Sequence, residues 1–179
     1  MTLPDLLRHG LDLVFIGINP SLYSAAQGHY FARKTNRFWP ALSRSVLSEV
    51  PRRALGIDRL EPVHDVVLLD YGIGFTDVVK RPTARAGELD PVEFAGSARD
   101  LVTKLETFQP RIACFQGMMG YRPFLRAHDP GSPKPVLGEQ PLRIGRTRLF
   151  VVPSPSGANA HGSPTDQTAW YDRLAAVRD

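Results

Sequence analysis

The sequence predicts an α/β protein: a three-layer α/β/α sandwich around a central, mostly parallel four-stranded sheet. Three observations predict it. Four short apolar runs, at 13–16, 66–69, 112–115 and 148–152, have the length of strands buried on both faces. Residues 92–108 carry Phe94, Ala98, Leu101, Val102, Leu105 and Phe108 on one helical stripe. Strand-like and helix-like segments then alternate along the chain, which is the pattern of crossover connections with helices on both faces of a sheet.

In chain order, Leu13-Val14-Phe15-Ile16 is the first strand and ends at Gly17. Gly17-Ile18-Asn19-Pro20-Ser21 is a turn, because Pro20 pushes Asn19 out of helical geometry. Residues 22–34 show no clear period, and Asn36 opens a helix with Phe38, Trp39, Leu42 and Val46 at helical spacing. Pro51 and Pro62 break residues 49–65. Val66-Val67-Leu68-Leu69 is the second strand, running into a loop at Asp70-Tyr71-Gly72-Ile73-Gly74. The amphipathic helix follows, then a third strand at 112–115 and a short helix from Gly117 to about His128. Four prolines and two glycines make 129–141 a surface loop. The fourth strand, 148–152, ends in Pro153-Ser154-Pro155-Ser156-Gly157, and a helix over 165–177 closes the chain.

The 179 residues suit one domain, 1–179. Hydrophobic residues at 42% and charged residues at 22% exclude a wholly disordered chain. A single cysteine, Cys114, excludes an internal disulfide and, alone, a zinc or iron–sulfur site. No apolar run approaches the ~20 residues of a membrane helix, and the start MTLPDLLRHG lacks a basic-then-apolar signal pattern. The expectation is a soluble, intracellular, cytoplasmic protein with no membrane partner, no metal and no cofactor. The net charge of +4 permits a polyanionic partner without demanding one. Arginine outnumbers lysine 18 to 4; guanidinium suits oxyanions, but an arginine-rich codon bias explains the same count.

Ligands of open α/β sheets bind at the carboxyl ends of strands, so chemistry is expected in 17–31, 70–83 and 153–161. Asn19, fixed between a buried strand and a proline, aims an amide with both a donor and an acceptor. On its own it also suits a turn asparagine bonded to its own backbone. Phe31 on its own suits core packing equally well.

Residues 17–39 read Gly-Ile-Asn-Pro-Ser-Leu-Tyr-Ser-Ala-Ala-Gln-Gly-His-Tyr-Phe-Ala-Arg-Lys-Thr-Asn-Arg-Phe-Trp. They resemble the first motif of the mismatch-specific uracil-DNA glycosylases, the bacterial Mug and thymine-DNA glycosylase family. Gly-Ile-Gly-Phe-Thr-Asp-Val-Val-Lys-Arg-Pro-Thr at 72–83 resembles that family's next block, and Pro-Ser-Pro-Ser-Gly at 153–157 its second active-site motif. The three blocks span about residues 13–160, in the family's order.

The resemblance implies a glycosylase fold and a base flipped from DNA into a pocket, with water cleaving the bond to the sugar. Asn19 matches the catalytic asparagine that positions the water. Gly17 and Ile18 match the motif whose backbone meets the pyrimidine, Phe31 the aromatic that stacks on the base, and Ser24 a pocket position near carbon 5 of the base. Asp77 stands at a position that varies in the family, where a carboxylate near Asn19 would share water activation or stabilise the sugar cation. A loop carboxylate paired with Lys80 or Arg81 is the other reading. Ser154, Ser156, Gly157, Ala158 and Asn159 match the loop that holds and wedges the DNA, with Ser156 and Gly157 presenting backbone N–H groups to a phosphate. Arg33, Lys80 and Arg81, with Lys34, Arg37 and Arg85, are candidate phosphate contacts. Arg37 is also a candidate pin beneath the first loop.

Several departures matter. Ser21 replaces a glycine and Ser154 an asparagine of the family pattern. Ala158-Asn159-Ala160 replaces a larger Leu-Ser-Arg wedge, leaving Asn159 or His161 to bond the widowed base. These changes weaken strict guanine-mismatch specificity and extend the expected partner to uracil-containing DNA, single- as well as double-stranded. The expected actor is a monomer working on the nucleoid. Two other readings stand beside this one: a related glycosylase for hypoxanthine or xanthine, and a non-catalytic module gripping damaged DNA. A Rossmann nucleotide binder is weaker, because Gly-x-Gly-x-x-Gly is missing and Gly117-Met118-Met119-Gly120 is too short for a P-loop.

Overall fold

The structure is a computed structural model that describes residues 1–159 and 162–179. Five strands form one sheet in the order β2-β1-β3-β5-β4. They are β1 (Leu13–Gly17), β2 (Ile73–Asp77), β3 (Ile112–Gln116), β4 (Gly138–Ile144) and β5 (Thr147–Val152). β1 pairs in parallel with β2 and β3, and β3 in parallel with β5; β4 alone runs antiparallel, on β5. The helices are α1 (Leu22–Gln27), α2 (Phe38–Arg44), α3 (Glu49–Leu55), α4 (Pro91–Phe108), α5 (Met118–His128) and α6 (Pro164–Arg178). None of the described helices is long and apolar enough to cross a membrane.

Strand alternation builds two cores. Leu13 and Phe15 of β1, Ile112 and Cys114 of β3, and Phe150 and Val152 of β5 enter one layer, with Phe38, Trp39 and Tyr171 from α2 and α6. Val14, Ile16, Ala113, Phe115, Leu149 and Val151 enter the other, with α4 and α5 supplying Leu101, Leu105, Tyr121 and Phe124. Continuous burial along β1 and β3 explains why both read as unbroken apolar runs. The amphipathic helix falls where its stripe places it, begun by Pro91 and by the Asp90 carboxylate, which accepts from the Val92 N–H.

Two expectations about the sheet fail. The apolar run at 66–69 does not form a strand: Val67–Tyr71 is a 3₁₀ turn ended by Gly72 at φ +77°. The strand is the next segment, Ile73–Asp77, which was expected as loop. Its sequence, Ile-Gly-Phe-Thr-Asp, lacks an apolar run, yet every residue is buried because β1 lies on one edge and the N-terminal segment on the other. Leu6 and Phe75 exchange N–H···O bonds of 2.9 Å in both directions. A Cβ on Gly74 would stand 2.4 Å from the Leu6 carbonyl oxygen, so only glycine admits this close approach. The fifth strand, β4, lies partly within 129–141, expected to be loop. It is an edge strand, buried only at intervals, which accommodates Pro141 and a register irregularity between Glu139 and Arg143. The helix expected from Asn36 to Val46 ends at Arg44; a 3₁₀ turn and α3 follow, with Pro51 in the first turn of α3.

Candidate active site

The loops after β1, β2 and β5 meet at the carboxyl end of the sheet. Gly17 and Asp77 end adjacent parallel strands in register. The pairing continues beyond the strands, where the Val78 and Val79 N–H groups donate to the Gly17 and Ile18 carbonyls at 2.9 Å. Gly17 is a glycine for space. A Cβ there would meet Asp77 Oδ1 at 2.5 Å and the Phe31 ring at 3.4 Å. The two candidate side chains, from distant parts of the sequence, therefore close on one backbone position.

Asn19 is fixed by its nitrogen. Nδ2 donates to the Arg81 carbonyl at 2.9 Å, to Thr83 Oγ1 at 2.8 Å and to the Pro20 carbonyl at 3.2 Å. Thr83 gives its own hydrogen to the Arg85 carbonyl, so toward Asn19 it accepts only. The carbonyls and this hydroxyl dictate which end of the amide faces them. Oδ1 is left without a hydrogen-bond partner among the described residues, as an acceptor of fixed direction.

Asp77 is 3% exposed, and its buried Oδ2 has no hydrogen-bond partner among the described residues. Lys80 Nζ lies 3.5 Å from that oxygen, close enough to attract but too far to close a strong charge-assisted bond. Burial pushes the Asp77 carboxyl up to about 7; the Lys80 ammonium works against that rise and the Asp5 carboxylate adds to it.

Phe31 is half-buried and holds φ +52°, a left-handed backbone that non-glycine residues rarely take. Its neighbours hold it there. Asp65, buried, accepts from the Tyr30 N–H at 3.0 Å and faces His29 Nδ1 at 3.0 Å. On the far side, the Ala32 N–H donates to Ser24 Oγ at 3.0 Å. The Phe31 ring lies 4.4 Å, centroid to centroid, from Phe38. Ser24, expected along a pocket wall, thus has its hydroxyl engaged in bracing the Phe31 segment.

Arg37 pins the last loop rather than the first. Its N–H donates to the Pro155 carbonyl at 2.8 Å, Nη1 to the Ser156 carbonyl at 3.2 Å and Nη2 to the Asn159 carbonyl at 2.8 Å. A Cβ on Gly157 would stand 2.9 Å from Thr35, so glycine lets the loop seat there. The Ser156 N–H, expected to face a phosphate, lies 3.3 Å from Ser154 Oγ, to which it donates. The Gly157 N–H has no partner among the described residues. Asn159 Nδ2 donates to the Ser154 carbonyl at 3.0 Å, and Ala158 is exposed. Ala160 and His161, expected to complete this loop, lie outside the described residues.

Besides Arg37, two more of the expected phosphate contacts are engaged within the protein. Lys80 turns inward, to Asp5 Oδ1 at 2.9 Å and to the Tyr30 hydroxyl at 3.1 Å. Arg81 forms a two-pronged pair with Glu93, at 2.5 and 2.9 Å; that hydrogen bond holds the Glu93 carboxyl down at about 2. Arg33 stays exposed, with one long contact of 3.5 Å to the Ala84 carbonyl. Sequence reasoning missed Asp5, Tyr30, Asp65 and Thr83. None of them carries a sequence signal, because each acts across a gap in the chain that only the fold closes.

The arrangement brings a half-buried aromatic, a directed amide oxygen and a buried carboxylate together at the carboxyl end of the sheet. The fold resembles, at TM-score 0.56 and 22% identity over 97% of each chain, the solution NMR structure of a Methanosarcina acetivorans protein whose name proposes a uracil DNA glycosylase. Residues 4–175 match the family model of the Uracil DNA glycosylase superfamily, a span that holds all three loops of the site. By that match the chain belongs to the uracil DNA glycosylase superfamily.

Proposed function

We propose that the protein is a monofunctional uracil-DNA glycosylase of the mismatch-specific Mug and thymine-DNA glycosylase branch. It acts as a monomeric, single-domain enzyme that hydrolyses the N-glycosidic bond of uracil in DNA and leaves an abasic site. The observation that carries the reading is the buried Asp77 carboxylate, whose Oδ1 fronts Gly17 and the Phe31 ring and whose Oδ2 has only a long ion pair to Lys80. A buried carboxylate so weakly paired keeps its affinity for a proton, which suits a group that takes one from water.

In this reading a flipped uracil rests on Phe31. Asn19 Oδ1 accepts a hydrogen from the attacking water, a role left to it because Nδ2 is held by Arg81 and Thr83. The water oxygen bonds to the sugar's anomeric carbon as the carbon–nitrogen bond breaks. That bond's electron pair leaves on the uracil ring, and the water's proton goes to Asp77 and then to solvent. Arg33 and the Gly157 N–H hold flanking phosphates. The loop around Ala158 and Asn159 enters the space left by the base; its small residues favour uracil in single strands or opposite any base over a strict guanine mismatch.

The test uses uracil oligonucleotides, single-stranded and opposite each of the four bases, with alkali to cut abasic sites. Wild type cleaves; Asn19→Ala loses about 100-fold or more, and Asp77→Ala about 100- to 10,000-fold. Failure to release uracil from any substrate overturns the assignment. Release of hypoxanthine or xanthine instead would move the protein to a purine-directed glycosylase. Binding without release of any base would make it a DNA-binding module.

A further inference from the structure

The N-terminal segment reaches the site although no motif marks it. Thr2 Oγ1 donates to the Lys80 carbonyl, Pro4 accepts from the Tyr30 hydroxyl at 2.8 Å, and Leu6 pairs with Phe75. Between them, Asp5 is locked by three donors: Thr76 Oγ1 at 2.7 Å, Lys104 Nζ at 2.6 Å and Lys80 Nζ at 2.9 Å.

Lys80 therefore stands between two carboxylates, held closely by Asp5 and by the Tyr30 hydroxyl, with a longer ion pair to Asp77 Oδ2 at 3.5 Å. A charge-assisted bond forms near 2.8 Å, so a swing of about 0.7 Å on a flexible four-carbon stem would close it. A closed ion pair would occupy Oδ2 and weaken its hold on a proton. Asp5, with the Tyr30 hydroxyl, holds Lys80 on the other side.

We propose that Asp5 is a positioning residue of the site: by holding the Lys80 ammonium to itself, it keeps the Lys80–Asp77 ion pair long, so that the Asp77 carboxyl, whose Oδ1 fronts Gly17 and Phe31, can take the proton of the attacking water. The inference rests on the reading of Asp77 as the proton acceptor. The charged and titratable groups around Asp77 are Lys80 in the loop after β2, Asp5 in the N-terminal segment, Lys104 on α4 and Tyr30 before Phe31. Thr76 and Lys104 fix Asp5, and so take part indirectly.

The test follows the Asp77 carboxyl carbon by NMR titration of ¹³C-aspartate-labelled protein, beside the pH dependence of kcat/KM on a uracil oligonucleotide. Asp5→Asn frees Lys80 to close on Asp77, so the titration midpoint and the acid limb of the rate both fall by about one pH unit. Lys80→Gln removes the cation and moves both upward. In the Asp5→Asn/Lys80→Gln double variant, the downward shift caused by Asp5→Asn disappears. Thermal melts of each variant separate a shifted midpoint from lost folding. An unmoved midpoint in Asp5→Asn, with only a lower Tm, makes Asp5 a tether and overturns the proposal. An unmoved midpoint in Lys80→Gln overturns it independently. A wild-type limb that survives Asp77→Asn sinks the proton-acceptor reading instead, and the NMR midpoints still report whether Asp5 governs Lys80.

Discussion

Asn19 and Asp77 differ in what their surroundings leave free. Three acceptors take the Asn19 nitrogen and leave an oxygen; burial leaves an Asp77 oxygen with only a long ion pair. The second arrangement has a cost. The folded carboxyl titrates near 7 against an ordinary 3.8, so between those values the folded protein holds a proton that the unfolded chain has lost. Stability is then highest below about pH 4 with respect to this group, and falls as the pH rises through 7. Asp77→Asn removes that penalty: its Tm should exceed wild type by about 5 °C at pH 8, and the gap should close toward pH 4. Melts of both proteins across that range check it; equal Tm values at pH 8 would deny the penalty. Asn19 was singled out in the sequence by the family resemblance of residues 17–39, since its place before Pro20 alone suits a turn asparagine equally. The strain at Phe31 and the bracing roles of Ser24 and Asp65 were not, because φ and hydrogen-bond partners follow from contacts between distant segments.

At the scale of elements, β2 was the hardest to read. Val-Val-Leu-Leu at 66–69 has stronger strand character than Ile-Gly-Phe-Thr-Asp at 73–77, yet only the latter pairs. Tertiary pairing with β1 and Leu6 overrides local propensity there. The glycine that weakens the local signal is the one the packing needs. Gly74→Ala should press a methyl group into the Leu6 carbonyl and lift the N-terminal segment from the sheet edge. The expected loss is about 1–3 kcal/mol, read as a fall in Tm. Hydrogen exchange should speed first at the Leu6 and Phe75 amides. Unchanged exchange there would mean that the edge absorbs the methyl group. By contrast, β1, β3, β5 and α4 were legible because each is buried by its own pattern, through continuous apolar runs or a single stripe. The edge strand β4 was hidden by Pro141 and by a half-exposed face.

For the whole molecule, the charge of +4 overstates what faces DNA. Lys80 and Arg81 answer internal carboxylates, so the exposed Arg33, Lys34 and Arg85 are left as the main basic groups near the loops. Each phosphate contact contributes a slope of about −0.9 in log K against log salt on duplex DNA. A slope of about −2 to −3 is expected, shallower by about one in Arg33→Gln, from titrations on a non-cleavable duplex. A slope of −5 or steeper would return Lys80 and Arg81 to the interface. The sheet order has a further consequence, in the order of events during synthesis. β4 and β5 are neighbours in both sequence and space, whereas every parallel pairing joins strands more than thirty residues apart. The loop that follows β5 seats on Thr35 and Arg37, far back in the chain. A chain still emerging from the ribosome therefore carries the candidate amide and carboxylate before the loop that seats on Arg37 has been made.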